Sequence, residues 1–139
     1  MIALNNVHKA YGNNVVLDGI DFKINPGEFV SITGKSGAGK STVLKLLIGE
    51  EKCNKGRILV GKYEVNKMSP AELPEYRKQL GVIFQDFKLL PQKTAHENVA
   101  FAMEVRGSHD EEIKEIVPQV LDMVGLSDKI GRASCRERV

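Results

Sequence analysis

The stretch Gly34-Lys35-Ser36-Gly37-Ala38-Gly39-Lys40-Ser41 constrains this chain more than any other. It matches G-x-x-x-x-G-K-[ST] in full, and a short β-rich run at residues 28–33 (EFVSIT) leads into it. Residues 40–49 follow with helical periodicity, with Val43, Leu44, Leu47 and Ile48 expected on one face. A strand, a glycine-rich turn and a helix in that order form a concavity lined by backbone N–H groups. Glycine reaches the conformations such a turn needs at little cost, and the helix aims the partial positive charge of its N-terminus into the same space. The natural occupant is a phosphate chain. Lys40 is placed to set a point charge between β- and γ-phosphates, Ser41 to offer a hydroxyl to Mg²⁺, and Thr42 to add a donor for the α-phosphate. Residues 34–42 are therefore the expected binding residues for a nucleotide.

The surrounding pattern sets the fold class. Residues 2–7 alternate, residues 15–24 alternate again, and Asn25-Pro26-Gly27 signals a turn. Residues 56–60 and 63–65 read as further strands, and the apolar run Gly81-Val82-Ile83-Phe84 reads as a buried one. Ser69…Glu72, with Pro70 at the first helical position, Thr94…Glu97 and Ser108…Glu111 each carry the Ser/Thr-x-x-Glu signature of a helix start. Ile113, Ile116, Val117, Val120, Leu121 and Val124 give the most regular helical stripe, with Pro118 inside it expected to kink the helix or open one hydrogen bond. The expectation is an α/β P-loop core: antiparallel strands within residues 2–33 and 56–65, parallel strands at 28–33 and 81–84, and a helical portion from about Thr94.

Composition mainly excludes. The 139 residues are 42% hydrophobic and 27% charged, ordinary for a globular chain. No apolar run is long enough to span a bilayer, and no secretory signal follows Met1, so a cytosolic origin is expected. Cys53 and Cys135 are too few for a disulfide framework and lack metal-ligand spacing, as do the scattered His8, His96 and His109. The net charge of +2 sits in residues 131–139; without their three Arg and one Glu, 17 basic residues face 17 acidic ones. No nucleic-acid-binding stripe is present.

Tyr11 precedes the glycine-rich loop by about two dozen residues, and Gln85 follows the apolar run 81–84, at a strand end where α/β sheets place ligands. Residue type alone leaves Tyr11 open to being a plain strand-end aromatic, and Gln85 a solvated polar residue. From residue 1 to about residue 128, however, this arrangement resembles the ATP-binding cassette (ABC) ATPases. Within that family, Val82-Ile83-Phe84-Gln85-Asp86-Phe87-Lys88-Leu89-Leu90-Pro91 and Thr94-Ala95-His96-Glu97-Asn98-Val99 are similar to the bacterial cell-division branch, the FtsE type. Asn5 to Tyr11 and Pro74-Glu75-Tyr76-Arg77-Lys78-Gln79-Leu80 fit it too. The resemblance implies ATP and Mg²⁺ as ligands, Tyr11 stacked on adenine, and Gln85 as the glutamine that reaches Mg²⁺ and the attacking water. It further implies a homodimer of the full-length ATPase. An integral-membrane, permease-like subunit of the FtsX type would be the partner, placing the ATPase on the inner face of the cell membrane. Lipoprotein and other small-exporter ATPases share most of these motifs, and a neighbouring permease gene would separate the two readings. A small-molecule kinase conflicts with the β-rich prelude, since such kinases usually carry the loop near the amino terminus.

The family's signature loop, its Walker B Asp-Glu and its switch histidine do not occur in this sequence. The groups that orient a hydrolytic water are thus missing, and the chain by itself is expected not to turn ATP over. Residues 131–139 (GRASCRERV) are those a read-through of a common sequencing adapter would encode. The expected organisation is residues 1–93 as the P-loop and Q-loop part, 94–128 as the start of a helical subdomain, and 129–139 as adapter-derived. A naturally short, non-catalytic nucleotide-binding module is the alternative from a different functional class.

Overall fold

The alternating amino-terminal segments form a hairpin, β1 (Ile2–Tyr11) and β2 (Asn14–Ile24), whose register runs from Ile2 opposite Ile24 to Tyr11 opposite Asn14. The computed structural model describes residues 1–86 and 88–131, and these fall into two compact units, Met1–Leu80 and Gly81–Val139. Most of the adapter-like segment, including Cys135, lies outside the described residues.

In the first unit β1 is a central strand. It pairs antiparallel with β2 on one side and with β3 (Lys55–Val60) on the other, and β4 (Tyr63–Glu64) completes the order β2-β1-β3-β4. The β1–β2 ladder is interrupted between Leu4 and Val7 and again around Lys9. At the first interruption Asn6 adopts φ +47°, with its N–H donated to Asp21 Oδ1 at 2.8 Å. One face of this sheet packs on α1 (Lys40–Leu47), a 3₁₀ turn (Val65–Lys67) and α2 (Leu73–Arg77). Leu4, Val7, Leu17, Val43, Leu46, Ile58, Val65, Met68 and Tyr76 are the buried core. The buried side of α1 is Thr42, Val43 and Leu46, whereas Leu44 is 40% exposed. Of the expected face, Val43 and Ile48 are buried and Leu47 packs against the core, so only Leu44 departs, and Thr42 and Leu46 join the buried side in its place.

The second unit is a helical pair, α3 (Ala95–Arg106) and α4 (Asp110–Met123), packed around Ala100, Ile113, Val117 and Leu121. The capping box at Thr94 forms in full: Glu97 N–H donates to Thr94 Oγ1 at 3.2 Å, and Thr94 N–H donates to Glu97 Oε2 at 2.7 Å. The other two differ from expectation. At Ser69 only the return half exists, with Ser69 N–H and hydroxyl both donating to Glu72 Oε2, so the helix starts at Leu73. α4 starts at Asp110 with His109 as N-cap and no side-chain cap bond; Asp110, Glu111 and Glu112 crowd its first turn, where the helix dipole favours negative charge. α4 runs through Pro118, and its buried stripe narrows to Ile113, Val117 and Leu121, with Val124 62% exposed.

The two expected parallel strands do not form. Residues 28–33 and 81–84 are irregular, with Phe29 97% and Ile83 92% exposed. β-propensity expresses how well a side chain packs on a pleated, half-buried surface. Among the described residues no strand pairs with either segment, so their propensity has nothing to act on. The α/β class and the antiparallel portion stand as expected.

Candidate functional site

The loop at residues 34–39 rests on backbone shapes that its glycines permit. Gly37 and Gly39 have φ of +80° and +86°. Gly39 is the N-cap of α1, and a Cβ there would stand 2.7 Å from Leu17 Cδ2 and 3.1 Å from the Val16 carbonyl oxygen. Glycine is needed twice over at this position: for the left-handed turn, and because β2 lies directly against it. The loop is drawn round by Lys40, whose Nζ donates to the carbonyls of Gly34 and Lys35, both at 2.7 Å. Ala38 N–H donates to the Lys35 carbonyl at 3.2 Å and tightens the same turn.

The start of α1 is open. Gly39 supplies no side-chain cap, and no acidic residue occupies the first turn. The first N–H groups of a helix have no partner within it, so Lys40, Ser41 and Thr42 present uncompensated donors and a partial positive charge. Ser41 is exposed and Thr42 is 9% exposed. The chemistry of this donor set (backbone N–H groups, one ammonium, one free hydroxyl) fits a polyphosphate and its Mg²⁺. The far end of α1 is anchored: the Tyr76 hydroxyl donates to the Leu47 carbonyl, and Arg77 donates through Nε to Ile48 O and through a terminal nitrogen to Gly49 O, both at 2.9 Å. Burial pushes the Tyr76 hydroxyl pKa up to about 12, so it acts as a donor across the ordinary pH range.

Tyr11 ends β1, 42% exposed, and pairs with Asn14 in the hairpin whose Val16 and Leu17 meet Gly39. Beside its ring sits Lys9, 8% exposed, with Nζ 4.8 Å from the ring centroid. That ammonium donates to Glu51 Oε2 and to the Lys52 carbonyl, each at 2.8 Å. The Glu51 carboxyl is held below the usual range, chiefly by the Lys9 hydrogen bond, with a smaller share from the Tyr11 hydroxyl. Gln85 belongs to the second unit, exposed in the turn at residues 85–86. In that unit Asn98 fastens the approach to α3: its Oδ1 accepts from Leu90 N–H at 2.8 Å, and its Nδ2 faces the carbonyls of Leu90, Lys93 and Thr94. His8 is engaged locally, accepting from Gly19 N–H at 3.2 Å and lying 3.0 Å from Asp18.

Sequence reasoning missed Lys9, Glu51 and the Tyr76–Arg77 clamp. Lys-x-Tyr on a strand was a readable hint for the first, because residues two apart share a face. The other contacts join segments 28 to 43 positions apart, and no local pattern announces them.

The sequence pattern of the ABC transporter family matches residues 17–137. The cell division ATP-binding protein FtsE of Bacillus subtilis is 50% identical over 130 residues, 93% of this chain and 57% of that protein. FtsE of Escherichia coli (strain K12) is 42% identical over 130 residues, 93% of this chain and 59% of that protein. The chain therefore spans less than two thirds of the length of these curated relatives. Among solved structures, an ATP-binding cassette captured as a dimer in a post-hydrolysis state with ADP and Pi is 31% identical, with a TM-score of 0.85. It is matched over 96% of this chain and 62% of its own. A dimeric bacterial ABC transporter cassette is 33% identical, with a TM-score of 0.82, over 94% of this chain and 60% of its own. Motif, fold and relatives agree: the chain belongs to the ABC transporter family.

Proposed function

We propose that this chain carries the nucleotide-holding part of an ATPase that works with a membrane partner in bacterial cell division. The observation that carries the reading is the loop itself: Gly37 and Gly39 in left-handed conformations, Lys40 folded across it, and an α1 N-terminus without cap or acid. In this reading Gly34, Lys35, Ser36, Gly37, Ala38 and Gly39 wrap the phosphates with backbone N–H groups. Lys40 moves its ammonium from the loop carbonyls toward the β- and γ-phosphates, Ser41 holds Mg²⁺, and Thr42 binds the α-phosphate. The magnesium supplies charge neutralisation at the transferring phosphoryl group. Tyr11 stacks on adenine, and Gln85 reaches the metal and the attacking water. Residues 1–93 form the P-loop and Q-loop part, and the helices from Thr94 begin a helical subdomain.

The 42–50% identity to FtsE relatives supports the cell-division assignment over a lipoprotein or small-exporter ATPase. By that analogy the full-length protein is a homodimer engaged to an FtsX-type permease-like subunit, at the inner face of the membrane. Among the described residues no helix is long and apolar enough to cross a membrane.

Calorimetric titration of the 139-residue chain with MgATP tests the binding site. Saturable binding, weakened at least about tenfold by Lys40→Ala, is expected from removing the ammonium. Equal affinity of the two proteins would sink the proposal. The chain alone should release no phosphate from ATP above background, because a Walker B Asp-Glu and a signature loop are absent from its sequence. Turnover that disappears in Lys40→Ala would overturn this second claim.

A further inference from the structure

We propose that Lys9 is a positioning residue for the purine-binding face of Tyr11, its ammonium holding one face of the ring so that the other is left for the base. The proposal deepens the reading of Tyr11 as the base-stacking residue and rests on it. Lys9 is a buried charge at the start of the site, 8% exposed, and burying an ammonium is costly unless its donors are used. They are used in an oriented way. Of its three donors, Glu51 Oε2 and the Lys52 carbonyl fix two at 2.8 Å, and the Tyr11 ring, 4.8 Å to centroid, fills the remaining side.

The ring is thus set against a cation that the segment after α1 anchors. Two consequences follow from aromatic electrostatics. A cation on one face, with the Tyr11 hydroxyl held at Glu51, fixes the ring plane at a strand end that is 42% exposed. It also draws π-density toward itself, so the opposite face becomes a better stacking surface for an electron-rich purine. Stacking reads the π-face and not the exocyclic groups. Lys9 should therefore favour purine nucleotides over a bare polyphosphate without separating adenine from guanine.

The test compares Mg-ATP with magnesium tripolyphosphate, which has the phosphates and no base. Affinities of both are measured by calorimetry for the 139-residue chain, Lys9→Met, Tyr11→Ala and the double variant. Lys9→Met keeps the aliphatic stem and removes the charge. The expected result is a loss of roughly three- to tenfold in Mg-ATP affinity for Lys9→Met, with tripolyphosphate unchanged within about twofold. The double variant should bind Mg-ATP no more weakly than Tyr11→Ala alone, since the lysine acts through the ring. Equal losses for the two ligands would reduce Lys9 to a structural residue and overturn the proposal. So would unchanged Mg-ATP affinity in Lys9→Met beside a clear loss in Tyr11→Ala. If Tyr11→Ala leaves Mg-ATP binding intact, the stacking reading itself is wrong and the role of Lys9 falls with it.

A second variant covers the case in which Lys9→Met does not fold. Glu51→Gln keeps Lys9 and loosens its anchor. In a Tyr11→Trp background it can be followed by a single indole, because the chain contains no other Trp. Mg-ATP should quench that indole with lower affinity when Glu51 is Gln, and magnesium tripolyphosphate should leave its emission unaltered. Identical Mg-ATP titrations with and without Glu51→Gln would overturn the proposal.

Discussion

Gly39 and Gly56 carry no side chain, yet each decides where others go. A Cβ at Gly56 (φ +93°) would stand 2.3 Å from the Asn6 carbonyl oxygen and 2.7 Å from that of Asn5, backbone atoms that cannot yield without parting β1 from β3. At Gly39 the nearest atom is the flexible end of Leu17, with the Val16 carbonyl behind it. Both Gly39→Ala and Gly56→Ala should destabilise the first unit, by about 1–3 kcal/mol for the left-handed conformation alone. Gly56→Ala should cost more, because its clash is with backbone. Urea unfolding of the two variants checks the order, and equal midpoints to the parent chain would contradict it. Only Gly39→Ala should also weaken MgATP binding, since it alters the turn that aims the loop.

At the scale of the element, α1 is useful because both of its ends are specified. Its start is left uncapped, while its end is fastened by the Tyr76 hydroxyl and the Arg77 guanidinium. Tyr76→Phe removes the donor from the Leu47 carbonyl and keeps the ring, so a loss of about 1–2 kcal/mol is expected on urea unfolding. A stability equal to the parent chain would show that the clamp contributes nothing. α3 offers a pH test. Glu97 is held below the usual carboxylate range, first by the Thr94 backbone N–H, then by the Thr94 hydroxyl and Lys93. A depressed folded-state pKa gives a contribution complete above the ordinary carboxylate range and lost as pH falls through the folded value. Helical circular dichroism should therefore erode as pH falls below the ordinary carboxylate range, and Glu97→Gln should flatten that dependence while lowering stability at neutral pH. Thr94→Ala should cost about 1 kcal/mol at neutral pH. A Glu97→Gln chain with the parent's acid profile would refute the assignment.

Across the whole molecule, burial and hydrophobicity part company. Leu46 is fully buried in the first cluster and Val117 in the second, whereas Phe29 and Ile83 are almost wholly exposed. Leu46→Ala should cost about 2–5 kcal/mol, and Phe29→Ser no more than about 0.5 kcal/mol. The same Phe29→Ser change should reduce binding of a hydrophobic dye, because exposed apolar side chains are what such dyes report. A stability loss at Phe29 comparable to that at Leu46 would show that residues 28–33 are packed. Hydrogen exchange locates the effects: Leu46→Ala should lower protection in the first cluster and Val117→Ala in the second.

Features set by neighbouring residues were for the most part legible along the chain. The glycine-rich motif pointed to a phosphate chain as ligand, because its spacing sets several N–H groups, an ammonium and a hydroxyl within eight residues. The β1–β2 hairpin, the β3–β4 pair and the Thr94–Glu97 box were legible for the same reason: alternation and capping are local. Features that need a partner from elsewhere in the chain emerge only on folding. Residues 28–33 and 81–84 have the composition of strands and lack a paired neighbour among the described residues, so pattern alone misplaced them. Ser108 looked like a cap, but the helix starts at Asp110 with His109 as its N-cap. Lys9 read as one more lysine until folding brought Glu51 and the Lys52 carbonyl to it from more than forty residues away. A charge can be buried only where its partners arrive, and their arrival is a property of the fold.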